Sequence, residues 1–323
     1  MTSALLRHGA AGLSAIPLGP GNAGAFFVRF EPQHTAFTGG SRRLLGYSRE
    51  ILMPEGPEIR RAADRLERSI LNQPLRAVHF AFDHLKCFEP MLAAAQIERV
   101  ETRGKAMLTH FDNGYAVYSH NQLYGRWYAV KAGQPARTTR SLRFAVYGLR
   151  HDILLYSASD IDVLTAPAIE QHPFLRKLGP DVLNPALSED QIAQRLVDPR
   201  FARRRLADLL LDQSFLAGIG NYLRSEILHA AGLLPTRKAG TLNESERDTL
   251  ATAVLSICQR AYLHAGITND LALAARLKAQ DVSFGRRRHA VFEREALPCY
   301  QCNTQIQRAE MNRRVFWCSV CQR

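Results

Sequence analysis

The chain has 323 residues, 42 Lys+Arg against 30 Asp+Glu, and a net charge of +12. Apolar residues make up 46%, which excludes global disorder. The longest uncharged run, about 8–28, is broken by five glycines and two prolines, so no membrane-spanning helix is expected. A foldable chain this basic points to a polyanionic partner, nucleic acid before membrane.

In chain order, residues 1–52 stand apart. They hold five arginines, no lysine and only two acidic residues, Glu31 and Glu50, and no helical or strand period persists. The segment is expected to be an unstructured extension. Its charge of +3 leaves +9 on the rest. A body begins at Met53-Pro54-Glu55-Gly56-Pro57-Glu58. Ile59, Ala62, Ala63, Leu66 and Ile70 then recur at helical spacing among charged residues, predicting an amphipathic helix with Pro57 in its first turn. Val78, Phe80 and Phe82 alternate, as do Met107, Thr109 and Phe111. Further β-type runs fall near 115–119, 126–131, 141–147 and 152–157. Their spacing predicts a β-sandwich or barrel-like domain. After Pro173 the period becomes helical, over 188–197, 201–213, 221–231 and 244–264.

The last 25 residues carry Cys299-x-x-Cys302 and Cys318-x-x-Cys321, separated by fifteen residues. Four thiolates at this spacing predict one tetrahedral, structural zinc site in a reducing compartment. Arg308, Arg313 and Arg314 lie on the intervening hairpin, within reach of phosphates. Cys87 and Cys258 are isolated and are expected to be packed thiols.

From Met53 onward the chain resembles the formamidopyrimidine-DNA glycosylase and endonuclease VIII family, and within it the bacterial endonuclease VIII branch. The resemblance rests on Met53-Pro-Glu-Gly-Pro-Glu-Ile-Arg-Arg-Ala-Ala-Asp64, Glu101-Thr-Arg-Gly-Lys105, Tyr118-Ser-His-Asn-Gln-Leu-Tyr-Gly125, Tyr156-Ser-Ala-Ser-Asp160, His172-Pro-Phe-Leu175, Gly179-Pro-Asp181, Leu211-Asp-Gln213, Gly220-Asn-Tyr-Leu-Arg224 and the four cysteines. It implies an α+β fold with a catalytic β-sandwich and flanking helices over 53–170. A helical DNA-binding domain with a helix–two-turn–helix motif follows over 171–288, and a zinc ribbon over 289–323. It also implies a monomeric enzyme of the bacterial cytoplasm and nucleoid that excises oxidised pyrimidines from double-stranded DNA and cleaves the abasic sugar. The rival is a zinc-ribbon protein that binds lesions without cutting.

By the same resemblance Pro54 is the nucleophile, Glu55 the proton donor with Glu58 assisting, and Lys105 and Arg313 serve the two elimination steps. Arg314 adjoins Arg313 where the endonuclease VIII pattern more often has proline, so that last assignment can shift by one. Gln122, Leu123 and Tyr124 would enter the gap left by an extruded base. Lys177 stands where relatives have a DNA-contacting arginine. Gly218-Ile219-Gly220-Asn221 would bring backbone and the N–H groups of a new helix to a phosphate. Pro54 can attack only as a free amine, yet in the written sequence it is internal. Residues 1–52 are therefore expected to be absent from the active protein, through translation from Met53 or, less favoured, removal of a targeting peptide. Their retention belongs with the rival reading.

Overall fold

The structure is a computed structural model that describes residues 54–323; every expectation about residues 1–52 lies outside them. The first element is α1 (Gly56–Ile70). It buries Ile59, Ala63, Leu66 and Ile70 and turns Arg61, Arg65 and Arg68 to solvent. Four such side chains stabilise the packing by about 1–3 kcal/mol each. Strands β1 (Leu75–Phe80), β2 (Ile97–Arg103), β3 (Ala106–Phe111), β4 (Tyr115–His120), β5 (Arg126–Lys131), β6 (Leu142–Gly148), β7 (His151–Tyr156) and β8 (Asp160–Thr165) follow, with the short α2 (Glu89–Ala93) after β1.

They form two antiparallel sheets, in the orders β1-β6-β7-β5 and β2-β3-β4-β8. Ile97, Val100, Met107, Phe111, Val117 and Ile161 of one sheet share a core with Phe80, Phe144, Val146, Ile153 and Leu155 of the other. Strand β3 is buried along its whole length. Met107 and Phe111 face that core, while Ala106 and Leu108 face a second cluster with Ile169 and Leu175.

After α3 (Ala166–Gln171) come α4 (Glu189–Val197), α5 (Leu206–Leu209), α6 (Asn221–Ala230), α7 (Glu244–Leu263), α8 (Leu271–Ala279) and α9 (Phe284–Arg287). The expected helix over 201–213 is not there. Only the single turn of α5 is helical, although Phe201, Leu206, Leu209 and Leu210 are all buried. These residues wrap around the core on turns, so their spacing reflects burial and not a helical face. Strand β2 went unread because Ile-Glu-Arg-Val-Glu-Thr-Arg has only two apolar residues. Phe82, expected in the first strand, instead follows β1 as the cap of a short 3-10 turn. Cys258 is buried as expected, but Cys87 is exposed.

Strands β9 (Gln307–Met311) and β10 (Arg313–Trp317) make the C-terminal hairpin. Its Ile306, Phe316, Cys299 and Cys318 belong to the same core as Leu223, Ile227 and Phe292. The hairpin is thus built onto the helical half. Among the described residues no helix is long and apolar enough to cross a membrane.

Candidate active site

Four segments distant in sequence meet beside α6. The first is Pro54-Glu55-Gly56, where Pro54 is half-buried and Glu55 is buried. The Gly56 N–H donates to Gly218 O at 2.8 Å. The two backbones approach so closely that a Cβ at Gly56 would come 3.0 Å from Gly218 Cα, and Gly218 itself has φ +104. The Glu55 carboxylate accepts from the N–H groups of Gly220 (2.7 Å), Tyr222 (2.9 Å) and Leu223 (3.3 Å). A side chain on Gly220 would collide with it, since a Cβ there would lie 2.3 Å from Glu55 Cδ.

This arrangement corrects one expectation. The N–H groups of Gly220, Tyr222 and Leu223 are taken by Glu55 instead of standing open to a phosphate, the Asn221 N–H is not among those Glu55 takes, and the Gly218-Ile219-Gly220 turn admits the Glu55 segment. Three donors and a helix N-terminus favour the charged form. Burial outweighs them. With Glu58 adding its negative charge, and Lys105 pulling the other way, the Glu55 carboxyl is pushed up to about 7. Burial also raises Glu58, which accepts from the Tyr222 hydroxyl at 3.0 Å and from the Glu55 N–H at 3.1 Å.

The second segment is the turn Gly104-Lys105 joining β2 to β3. Gly104 has φ +61, and its N–H donates to Asp181 Oδ2 at 2.6 Å. Asp181 thus fixes the turn that presents Lys105. Burial lowers the Lys105 ammonium; Glu55 and Glu58 support its charge and Arg313 opposes it. Arg313 starts β10 and is exposed; the neighbouring Arg314 is half-buried.

The hairpin tip is held by a residue to which the sequence assigned no role. Arg224 is fully buried. Its guanidinium donates to Met311 O (3.0 Å), Arg313 O (3.0 Å), Arg314 O (2.9 Å), Ala207 O (3.0 Å) and Asn221 Oδ1 (2.7 Å). Burial brings it down to about 10, so it stays cationic at neutral pH. It ties α6 to the strand start that carries Arg313 and turns the Asn221 amide so that its NH2 is the remaining donor. No local signal marked it, because Arg224 stands beside Ser225 and Glu226 and reads as part of an ordinary solvated helix face.

Gln122, Leu123 and Tyr124 follow His120, which pairs across the sheet with Ala106 next to Lys105. They sit on the loop from β4 to β5 that crosses from one sheet to the other. Leu123 is 40% exposed and Tyr124 53%. Lys177 is exposed on a short turn after α3. The Sγ atoms of Cys299, Cys302, Cys318 and Cys321 lie within 4.8 Å of one another, with Cys299–Cys321 at 3.8 Å and Cys302–Cys318 at 3.3 Å. A tetrahedron with metal–sulfur bonds of about 2.3 Å has edges of about 3.8 Å, so the four residues fit one metal ion.

A fold of two sheets and a helical half, with a buried carboxylate on a helix N-terminus and a four-cysteine hairpin, defines a class of DNA repair enzymes. Residues 53–156 match the model of the formamidopyrimidine-DNA glycosylase N-terminal domain, and 178–271 that of the formamidopyrimidine-DNA glycosylase H2TH domain. The chain is 47% identical over 271 residues to Endonuclease 8 of Escherichia coli O17:K52:H18, covering 84% of this chain and 100% of the relative. Endonuclease 8 of Shigella sonnei matches to the same extent. Met53 to Arg323 is likewise 271 residues. Two solved structures share the fold. Lactococcus lactis Fpg with abasic-site DNA is 19% identical, with a TM-score of 0.69, covering 83% of this chain and 99% of that one. Wild-type Lactococcus lactis Fpg with DNA containing an oxidised pyrimidine is also 19% identical at 0.69, with coverages of 84% and 100%. The chain belongs to the formamidopyrimidine-DNA glycosylase family, whose members are DNA glycosylases and abasic-site lyases.

Proposed function

We propose that the protein is a bifunctional glycosylase and lyase of base excision repair that removes oxidised pyrimidines from duplex DNA through an iminium at Pro54 and nicks the strand by β,δ-elimination. One observation carries this reading: a buried carboxyl pushed up to about 7 sits next to Pro54 and beside the Lys105 ammonium. Such a group holds and releases a proton at neutral pH.

In this reading Pro54 is the mature N-terminus. Its secondary amine, with an ordinary α-amine pKa of about 8, is partly uncharged at neutral pH. The lone pair forms a bond to C1′, the glycosidic bond breaks with its electrons going to the base, and the nitrogen gives up its N–H proton. The nitrogen lone pair then forms the iminium as the C1′–O4′ bond breaks and O4′ takes a proton. Glu55 supplies protons to the departing base and the opening sugar, and Glu58 assists by orienting Glu55. The iminium has no N–H proton to lose, so it stays cationic. It draws electrons as C2′ loses a proton and the 3′ phosphate leaves, and again as C4′ loses a proton and the 5′ phosphate leaves. Lys105 serves the first elimination and Arg313 the second. Gln122, Leu123 and Tyr124 fill the gap left by the extruded base. Lys177 and the Asn221 amide grip phosphates. The four cysteines hold one structural zinc ion, which fixes the hairpin and leaves no position open for water.

The test is borohydride trapping on duplex DNA containing thymine glycol. Protein begun at Met53, with removal of that methionine verified by intact mass, is compared with the full 323-residue chain. The expected result is a covalent adduct only where Pro54 is the N-terminus. No adduct from verified Pro54 protein, on this or an abasic substrate, leaves a lesion-binding protein that does not cut.

A further inference from the structure

The Gln122-Leu123-Tyr124 loop is held at both flanks. Gln122 has φ +48, a left-handed conformation that a non-glycine residue adopts only when its surroundings hold it. Its N–H donates to His120 Nδ1 at 3.0 Å, and its amide oxygen accepts from the Ser159 hydroxyl at 2.7 Å. On the other flank Arg140 Nη1 donates to Tyr124 O at 2.6 Å. Gly125 N–H closes the turn onto Asn121 O at 2.7 Å, where a Cβ at Gly125 would come 2.6 Å from the Asn121 backbone. The two side-chain pins come from different sheets. Ser159 immediately precedes β8 and Arg140 comes just ahead of β6. Between them Leu123 and Tyr124 stay exposed.

We propose that Ser159 and Arg140 are positioning residues that preform the wedge before DNA arrives, one on each sheet. This rests on the reading of Gln122, Leu123 and Tyr124 as the wedge. A preformed wedge has its ordering cost met in folding, so extrusion of the base does not carry it. Neither residue touches the reacting atoms, and both act only through the loop.

The experiment uses protein with Pro54 as its N-terminus, bearing Ser159→Ala, Arg140→Ala or both. Three quantities are read: hydrogen exchange over 121–125 without DNA, single-turnover excision of thymine glycol from a duplex, and cleavage of an abasic site in a single strand, where no pair is broken. The double variant is expected to exchange faster in the loop and to lose about tenfold in duplex excision, with single-strand cleavage unchanged. Ser159→Thr, which keeps the hydroxyl, is expected to behave as wild type. Unaltered exchange, unaltered duplex excision, or equal loss on both substrates would each overturn the proposal. A wild-type protein that traps no adduct on either substrate overturns the parent reading instead, and this one with it.

Discussion

Glu55 and Glu226 are both buried carboxylates held by backbone N–H groups, one reaching into the start of α6 and the other carried on it, and they end in opposite states. Glu226 accepts from Ala290, Val291 and Phe292 N–H at 2.7–2.9 Å and from the Thr268 hydroxyl at 2.7 Å. Burial works against its charge, but the nearby His289 and those donors prevail, and it is held below the usual carboxylate range. For Glu55 burial prevails: three donors, one of them long, and the Lys105 charge favour its ionised form, Glu58 opposes it, and together they fall short. The balance of burial against donors and neighbouring charges of both signs therefore decides whether a buried carboxylate is a fixed anchor or a proton carrier.

The comparison is sharpest in activity. Glu55→Gln keeps the shape but removes the titrating proton. Base excision is expected to fall by about a hundredfold or more, with cleavage of a preformed abasic site far less affected. Equal losses in parallel single-turnover assays would end that division of labour. In the wild type the protonated carboxyl declines above about 7, while the uncharged Pro54 amine grows until about pH 8. Excision should therefore peak between these values, and the variant should lose the alkaline limb.

The second contrast is in stability. A raised carboxyl stabilises the fold below its unfolded value and loses that contribution as pH rises through about 7. A lowered one stabilises the fold above the usual range and loses the contribution on acidification. The cost of Glu55→Gln is thus expected to shrink by about 3 kcal/mol between pH 4.5 and 8, whereas that of Glu226→Gln grows as pH rises out of the acid range. Urea unfolding across pH reads both slopes, and parallel slopes would erase the distinction.

Arg224→Lys tests whether the hairpin must be tied to the same helix. A lysine keeps the charge but cannot reach five acceptors on a planar fork. About 2 kcal/mol of stability should be lost, and the second elimination should slow more than the first, so that β-product accumulates on denaturing gels. The smallest effect is expected at Lys177→Arg, a few-fold gain in affinity with an unchanged salt slope.

Six of the eight sandwich strands, α1, α6 and the cysteine cluster were legible because alternation, helical spacing and Cys-x-x-Cys pairs are local signals; β2 and β8 were not. What escaped depends on distance along the chain. Glu55 and Tyr222 are 167 residues apart, so Pro-Glu-Gly-Pro-Glu read only as a helix entry with a resemblance attached. Nothing local says that Gly220 is a glycine because a carboxylate fills its place. Arg224 was quoted within a motif, yet its partners lie on a hairpin 87–90 residues away. In 201–213 the apolar spacing itself misled, because a chain wrapping a core can imitate a helix period.

The reach of Glu55 into the start of α6 also bears on how the protein can be divided. A fragment holding the sandwich would carry the amine and the carboxyl but none of the three backbone donors, and the complementary fragment would carry the donors alone. Under the proposed mechanism neither piece holds Glu55 in the environment that raises it. A split enzyme assembled by complementation would therefore report reassociation of its halves by base excision, while cleavage of a preformed abasic site would be the poorer reporter.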